Sequence, residues 1–122
     1  MPPATGNGKV CYIEIPAVDI EASARFYESV FGWKTRRRGD GELAFDDGVG
    51  EVSGVWVAGR NPYRGDPGVL VYIMVDDAAA TLKAIAERGG TIVQPIDPGA
   101  AETFAHFRDP AGNLFGIYQE PG

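Results

Sequence analysis

Residues 10–19 read VCYIEIPAVD, and apolar and polar side chains alternate along them. Cys11, Ile13 and Ile15 fall on one side and Tyr12 and Glu14 on the other, the period of a half-buried strand. Pro16 ends it, and Asp19 stands where a helix N-terminus needs a side-chain acceptor. In the following IEASARFYESVFG, Ala22, Phe26 and Val30 recur every fourth residue, with Tyr27 and Phe31 beside them and Gly32 to close the last turn. That stripe predicts a helix packed by one face. Short strands are expected near 34–38, 42–46 and 52–58. After them RNPYRGDPG (60–68) has the proline, glycine and charge of a connector.

The same order then returns. VLVYIMVDD (69–77) predicts a strand, AAATLKAIAERGG (78–90) a helix with Leu82, Ile85 and Ala86 inward, and further strands are expected near 91–94, 103–108 and 114–119. Asp77 follows Asp19 by 58 residues, as Gly90 follows Gly32. Four extra residues around PIDPGAAE raise the offset to 62, at which Phe45, Asp47, Gly50 and Gly54 match Phe107, Asp109, Gly112 and Gly116. This is an internal duplication of a βαβββ unit. The expected fold is α+β: two tandem βαβββ modules forming a curved, cavity-lining mixed sheet with helices on the outer face. A loose arm (1–8) precedes a single domain (9–120), divided into module one (9–59), the connector (60–68) and module two (69–120).

One helix per module covers only one sheet face. Alternation sends Tyr12, Glu14, Leu70, Tyr72, Met74, Phe104, His106, Leu114, Gly116 and Tyr118 to the other, and the repeat adds Gly54 and Trp56. Aromatic side chains with sparse polar groups suit a small-molecule cavity. The alternative is that these residues fill a dry core between packed sheets. Gly116 lies mid-strand, where glycine marks the close approach of some other group. A ligand is the expected occupant of that space.

Composition narrows the partners. A net charge of −6 argues against nucleic acid, and RRRG at 36–39 reads as a solvated strand end. No apolar run is long enough for a membrane span, and MPPATGNGK lacks the pattern of a secretory signal. The single cysteine, Cys11, permits no internal disulfide, fits a reducing cytoplasm, and by alternation is a buried apolar residue.

The stretches IEIPAVDIEASARFYESVFGW and FRDPAGNLFGIY resemble the vicinal oxygen chelate superfamily of glyoxalase I, extradiol dioxygenases, and fosfomycin- and bleomycin-resistance proteins; the resemblance spans residues 9–120. Metal-dependent relatives place ligands early in each module's first strand and midway along its last. Carried over, those positions are Tyr12, Gly54, Leu70 and Gly116, and none is an ordinary ligand for a divalent metal. The resemblance therefore implies the bleomycin-resistance-like branch: no metal, no cofactor, and an aromatic or amphipathic small molecule held by Tyr12, Glu14, Trp56, Leu70, Tyr72, Phe104, His106, Gly116 and Tyr118. Glu14 favours a neutral or cationic ligand, or else sits in water or pairs with Arg108. A metal-free isomerase or lyase with Glu14 or His106 as general base or acid is the alternative. A metal-dependent lactoylglutathione lyase or dioxygenase is less well supported. Members of the fold form clefts within a chain or between chains, and a homodimer is expected.

Overall fold

The computed structural model describes residues 5–7, 9–62 and 68–120. The arm expected at 1–8 and the middle of the connector at 60–68 fall largely outside them. Two compact units divide at Asn61 and Pro62, and each is a βαβββ module.

In the first unit, β1 (Tyr12–Pro16), α1 (Ile20–Phe31), β2 (Lys34–Arg37), β3 (Leu43–Asp46) and β4 (Ser53–Val57) follow in order, and the sheet runs β1-β4-β3-β2. β1 lies parallel to β4, whereas the β2–β3 and β3–β4 pairs are antiparallel. Asp19 caps α1 by accepting from the Ala22 N–H at 3.1 Å, and Gly32, at φ 70°, ends it in the left-handed conformation. Ser23, Ala24, Phe26 and Tyr27 are the buried residues of α1. The stripe is thus centred one step away from Ala22 and Val30, which are half-buried. Aromatic rings fill the space between α1 and the sheet: Tyr27 stacks on Trp33 at 4.5 Å, Trp33 on Phe45 at 4.6 Å, and Phe45 meets Trp56 at 4.8 Å between centroids. Cys11 precedes the first residue of β1 and is exposed, contrary to the burial that alternation predicts.

The second unit comprises β5 (Tyr72–Val75), α2 (Ala78–Glu87), β6 (Thr91–Gln94), β7 (Thr103–Arg108) and β8 (Leu114–Gln119), with strand order β5-β8-β7-β6. Asp77 caps α2 through the Ala80 N–H at 3.0 Å. Leu82 and Ile85 are buried as expected, but Ala86 is exposed. The helix ends at Glu87, and the left-handed glycine beyond it is Gly89, at φ 97°, not Gly90. Ala105, Phe107, Phe115 and Ile117 supply the buried side of the sheet.

The two halves differ at one hairpin. Loop 109–113 joins β7 to β8 with five residues, whereas loop 47–52 joins β3 to β4 with six. Both begin alike. Asp47 Oδ1 accepts from the Glu51 and Val52 N–H groups, Asp109 Oδ1 from those of Ala111 and Asn113, and Gly50 and Gly112 take positive φ. The chain spacing from Phe45 to Gly54 equals that from Phe107 to Gly116, but the first turn closes one residue later, so Phe45 pairs with Gly54 whereas Phe107 pairs with Phe115. Because side chains alternate with period 2, that one-step difference in pairing sends Gly54 and Trp56 to the face opposite the one predicted from Gly116 and Tyr118.

Candidate functional site

The sheet face turned away from α2 in the second unit carries the candidate site. Strand register builds it in two rows. Tyr72 on β5 lies beside Gly116 on β8, which lies beside His106 on β7; one step along, Met74 lies beside Tyr118, which lies beside Phe104. A hollow of about 660 Å³ opens over the second row. Tyr72, Met74, Phe104 and Tyr118 line it from the strands, and Ala100, Ala101 and Glu102 line it from the loop before β7. That volume lies within the range of small-molecule sites.

Three contacts fix Tyr72 at the edge of this hollow. Its Oη lies 2.7 Å from His106 Nε2, its ring meets that of Phe104 edge-on at 6.3 Å, and the ring covers Gly116. A Cβ at Gly116 would lie 2.5 Å from Tyr72 Cδ2 and Cε2. The space beside Gly116, expected to receive a ligand, is therefore taken by the chain's own tyrosine ring. Tyr118 has its phenol held above the ordinary range, first by desolvation and then by the carboxylates of Glu120 and Glu102. It stays a neutral hydroxyl.

The remaining predicted site residues lie elsewhere. Leu70 precedes β5, is half-buried and does not line the hollow. In the first unit, Tyr12 and Glu14 occupy the sheet face away from α1, both largely exposed. Tyr12 Oη accepts from Arg38 Nη1 at 3.1 Å, and Glu14 pairs with Arg60 at 2.9 Å rather than with Arg108. Trp56, expected as a cleft wall, is only 1% exposed and belongs to the aromatic core under α1. Its indole N–H has no hydrogen-bond partner there, its neighbours being the rings of Tyr27 and Phe45.

The hollow also uses residues that periodicity does not assign to it. Ala100, Ala101 and Glu102 form its rim, and they belong to the extra segment PIDPGAAE that lengthens the second half. An insertion before a strand was the available signal.

The donors for a metal ion are missing at the four carried-over positions. The Leu70 and Gly116 side chains offer no lone pair, Tyr12 is committed to Arg38, and Gly54 turns to the core while Val55, itself buried, takes the place beside Glu14. Among the described residues, no three His, Cys, Asp or Glu side chains gather in a way that holds a metal. These residues do not fit the metal of the metal-dependent relatives.

Comparison with known proteins agrees with this architecture. A model of the glyoxalase/bleomycin resistance protein/dioxygenase superfamily matches residues 9–117. A glyoxylase-like domain-containing protein of Didymella fabae is 31% identical over 95% of this chain and 97% of its own length. The anthracycline biosynthesis protein DnrV of Streptomyces peucetius is 27% identical over 93% of this chain, which spans 47% of that longer protein. The fosfomycin resistance protein FosX of Mesorhizobium loti superposes with a TM-score of 0.73 at 17% identity, covering 96% of this chain and 95% of FosX. At that identity the likeness is one of fold.

Proposed function

The chain belongs to the glyoxalase/bleomycin resistance protein/dioxygenase superfamily, and from that premise we propose that it binds an aromatic or amphipathic small molecule, without a metal, against the open face of its second sheet. The hollow bounded by Tyr72, Met74, Phe104 and Tyr118 carries this reading. Its walls are rings and a thioether, surfaces that gain from covering another apolar ring. The resemblance to a protein named for anthracycline biosynthesis supports an aromatic ligand. Glu102 at the rim and the overall charge of −6 disfavour an anionic one.

Backbone and methyl NMR during titration with naphthalene-sized aromatics tests the proposal. Shifts confined to Met74, Ala100, Ala101, Phe104 and Tyr118 support it. Phe104→Ala should weaken the binding about tenfold, which corresponds to about 1.4 kcal/mol. If no aromatic compound shifts these residues at millimolar concentration, the hollow is not a ligand site.

A second reading, metal-free acid–base catalysis, is favoured by the Tyr72–His106 hydrogen bond, since a histidine in contact with a phenol can hold or pass a proton. Glu14, tied to Arg60 in the first unit, is the weaker base candidate. Turnover that survives His106→Gln would exclude His106 from that role.

A further inference from the structure

We propose that the hollow selects ligands carrying an aromatic or enolic hydroxyl group, and that Tyr72 Oη is the atom that reads this hydroxyl, seated by Gly116 and oriented by His106. The proposal rests on the small-molecule reading given above and narrows its ligand class.

Gly116 supplies the first step. Its φ is not among the positive values, so its backbone would accept any residue. What requires glycine is room: an added Cβ would stand 2.5 Å from two atoms of the Tyr72 ring and 3.0 Å from Cζ. The Cδ2–Cε2 side of the ring lies against the strand at Gly116, and Oη is 2.7 Å from His106 Nε2. His106 and Gly116 are register partners on adjacent strands. Glycine, histidine and tyrosine thus form one assembly across three strands, and of the three Tyr72 lines the hollow.

Hydrogen-bond capacity supplies the second step. A phenol has one donor and two acceptor sites. If His106 presents an unprotonated Nε2, Tyr72 donates to it and keeps two acceptor sites. If Nε2 carries the proton, Tyr72 accepts from it and keeps one donor and one acceptor site. In both states an acceptor is left over, so a ligand group that can donate always finds a partner. A carbonyl or ether oxygen finds a donor only in the second state. The Glu102 carboxylate at the rim is another acceptor. A hydroxyl on an aromatic or enolic frame satisfies these acceptors while its frame covers Met74, Phe104 and Tyr118.

Paired titrations with 2-naphthol and 2-methoxynaphthalene test this, because the two probes share a ring system and an oxygen while only the first can donate. The wild-type protein should bind 2-naphthol about tenfold more tightly. Tyr72→Phe removes one oxygen from a residue that is 45% exposed; it should bring the two affinities within about twofold, chiefly by weakening that of 2-naphthol. Gly116→Ala, which pushes the ring aside, should weaken the preference with Tyr72 still present. Equal affinities in the wild type, or a preference that survives Tyr72→Phe, overturn the proposal and leave the hollow standing as an aromatic site. If neither probe shifts the residues of the hollow, the small-molecule reading itself fails, and this proposal with it.

Discussion

Replacing Gly54 by alanine tests the register of the first sheet more severely than any other single methyl group. The new Cβ would stand 2.0 Å from the Ile13 carbonyl oxygen, 2.4 Å from Phe45 Cζ and 2.8 Å from Phe45 Cε2. Ordinary contacts of this kind are about 3.5 Å, so the overlap with the carbonyl is more than an ångström. Phe45 is fully buried between Trp33 and Trp56 and has little room to swing away. The carbonyl belongs to β1, which pairs with β4 at this point, and only a movement of the strand relieves it. Overpacking a core costs about 1–3 kcal/mol when side chains alone must adjust. With backbone involved, we expect Gly54→Ala to cost about 3 kcal/mol or more, lowering the Tm by 10 °C or more on the scale of about 4–8 °C per kcal/mol for a small domain. Urea titration followed by near-ultraviolet circular dichroism measures it, because the core tryptophans report directly on packing. Gly54→Ala with Phe45→Leu should recover only part of the loss, since the carbonyl clash remains. A cost below about 0.5 kcal/mol would mean that Gly54 faces open space and that the register deduced for β4 is wrong.

Two other outcomes follow from the first half of the chain and its repeat. Asp19→Ala and Asp77→Ala each remove an N-cap that accepts from a backbone N–H at 3.1 and 3.0 Å, so each should cost about 1 kcal/mol in urea unfolding, and Asp→Asn at the same positions much less. The Asp46 carboxyl is held below its ordinary range by hydrogen bonds from Arg36 and Ser53, which means that its contribution to stability is complete above the unfolded-state value of 3.8 and is lost as pH falls through the lower folded-state value. Both partners are partly exposed, so Asp46→Asn should cost only about 0.5 kcal/mol at pH 7. The wild-type and variant stabilities should begin to converge below pH 3.8 and meet once the pH is under the lower folded-state value; a difference undiminished by that fall in pH would refute the ionic origin.

Most elements and both helix caps were legible in the sequence because they depend on local pattern. Asp19 and Asp77 announce α1 and α2, and the internal repeat announces β7 and β8. Faces were legible only where register could be inherited from such a strand: Tyr72, Phe104, His106 and Tyr118 share one side of the second sheet, as alternation predicts. Trp56 and Gly54 were misplaced because the register at which a hairpin closes sets the face of the strand that follows, and equal chain spacing in the two halves did not reveal that the registers differ. Cys11 was misplaced because alternation was extended to the residue before β1, where the side chain is exposed. The neighbour of Gly116 was hidden for another reason. Glycine in a strand states that something comes near, and whether it is a ligand or a ring from the next strand depends on a side-chain orientation that spacing does not encode.

The unequal hairpins also bear on how a doubled chain diverges. When a βαβββ module is copied, both copies inherit the same assignment of inward and outward residues, and changing that assignment one substitution at a time would pass through many poorly packed intermediates. A turn that closes one residue later, with no residue added or lost, exchanges the two sides of a whole strand at once. Afterwards β4 can specialise in filling the interior with Trp56, while β8 remains free to present Tyr118 outward. In such a fold the register at which a turn closes is a trait in its own right, and residue roles can be transferred between copies only after the two registers have been compared.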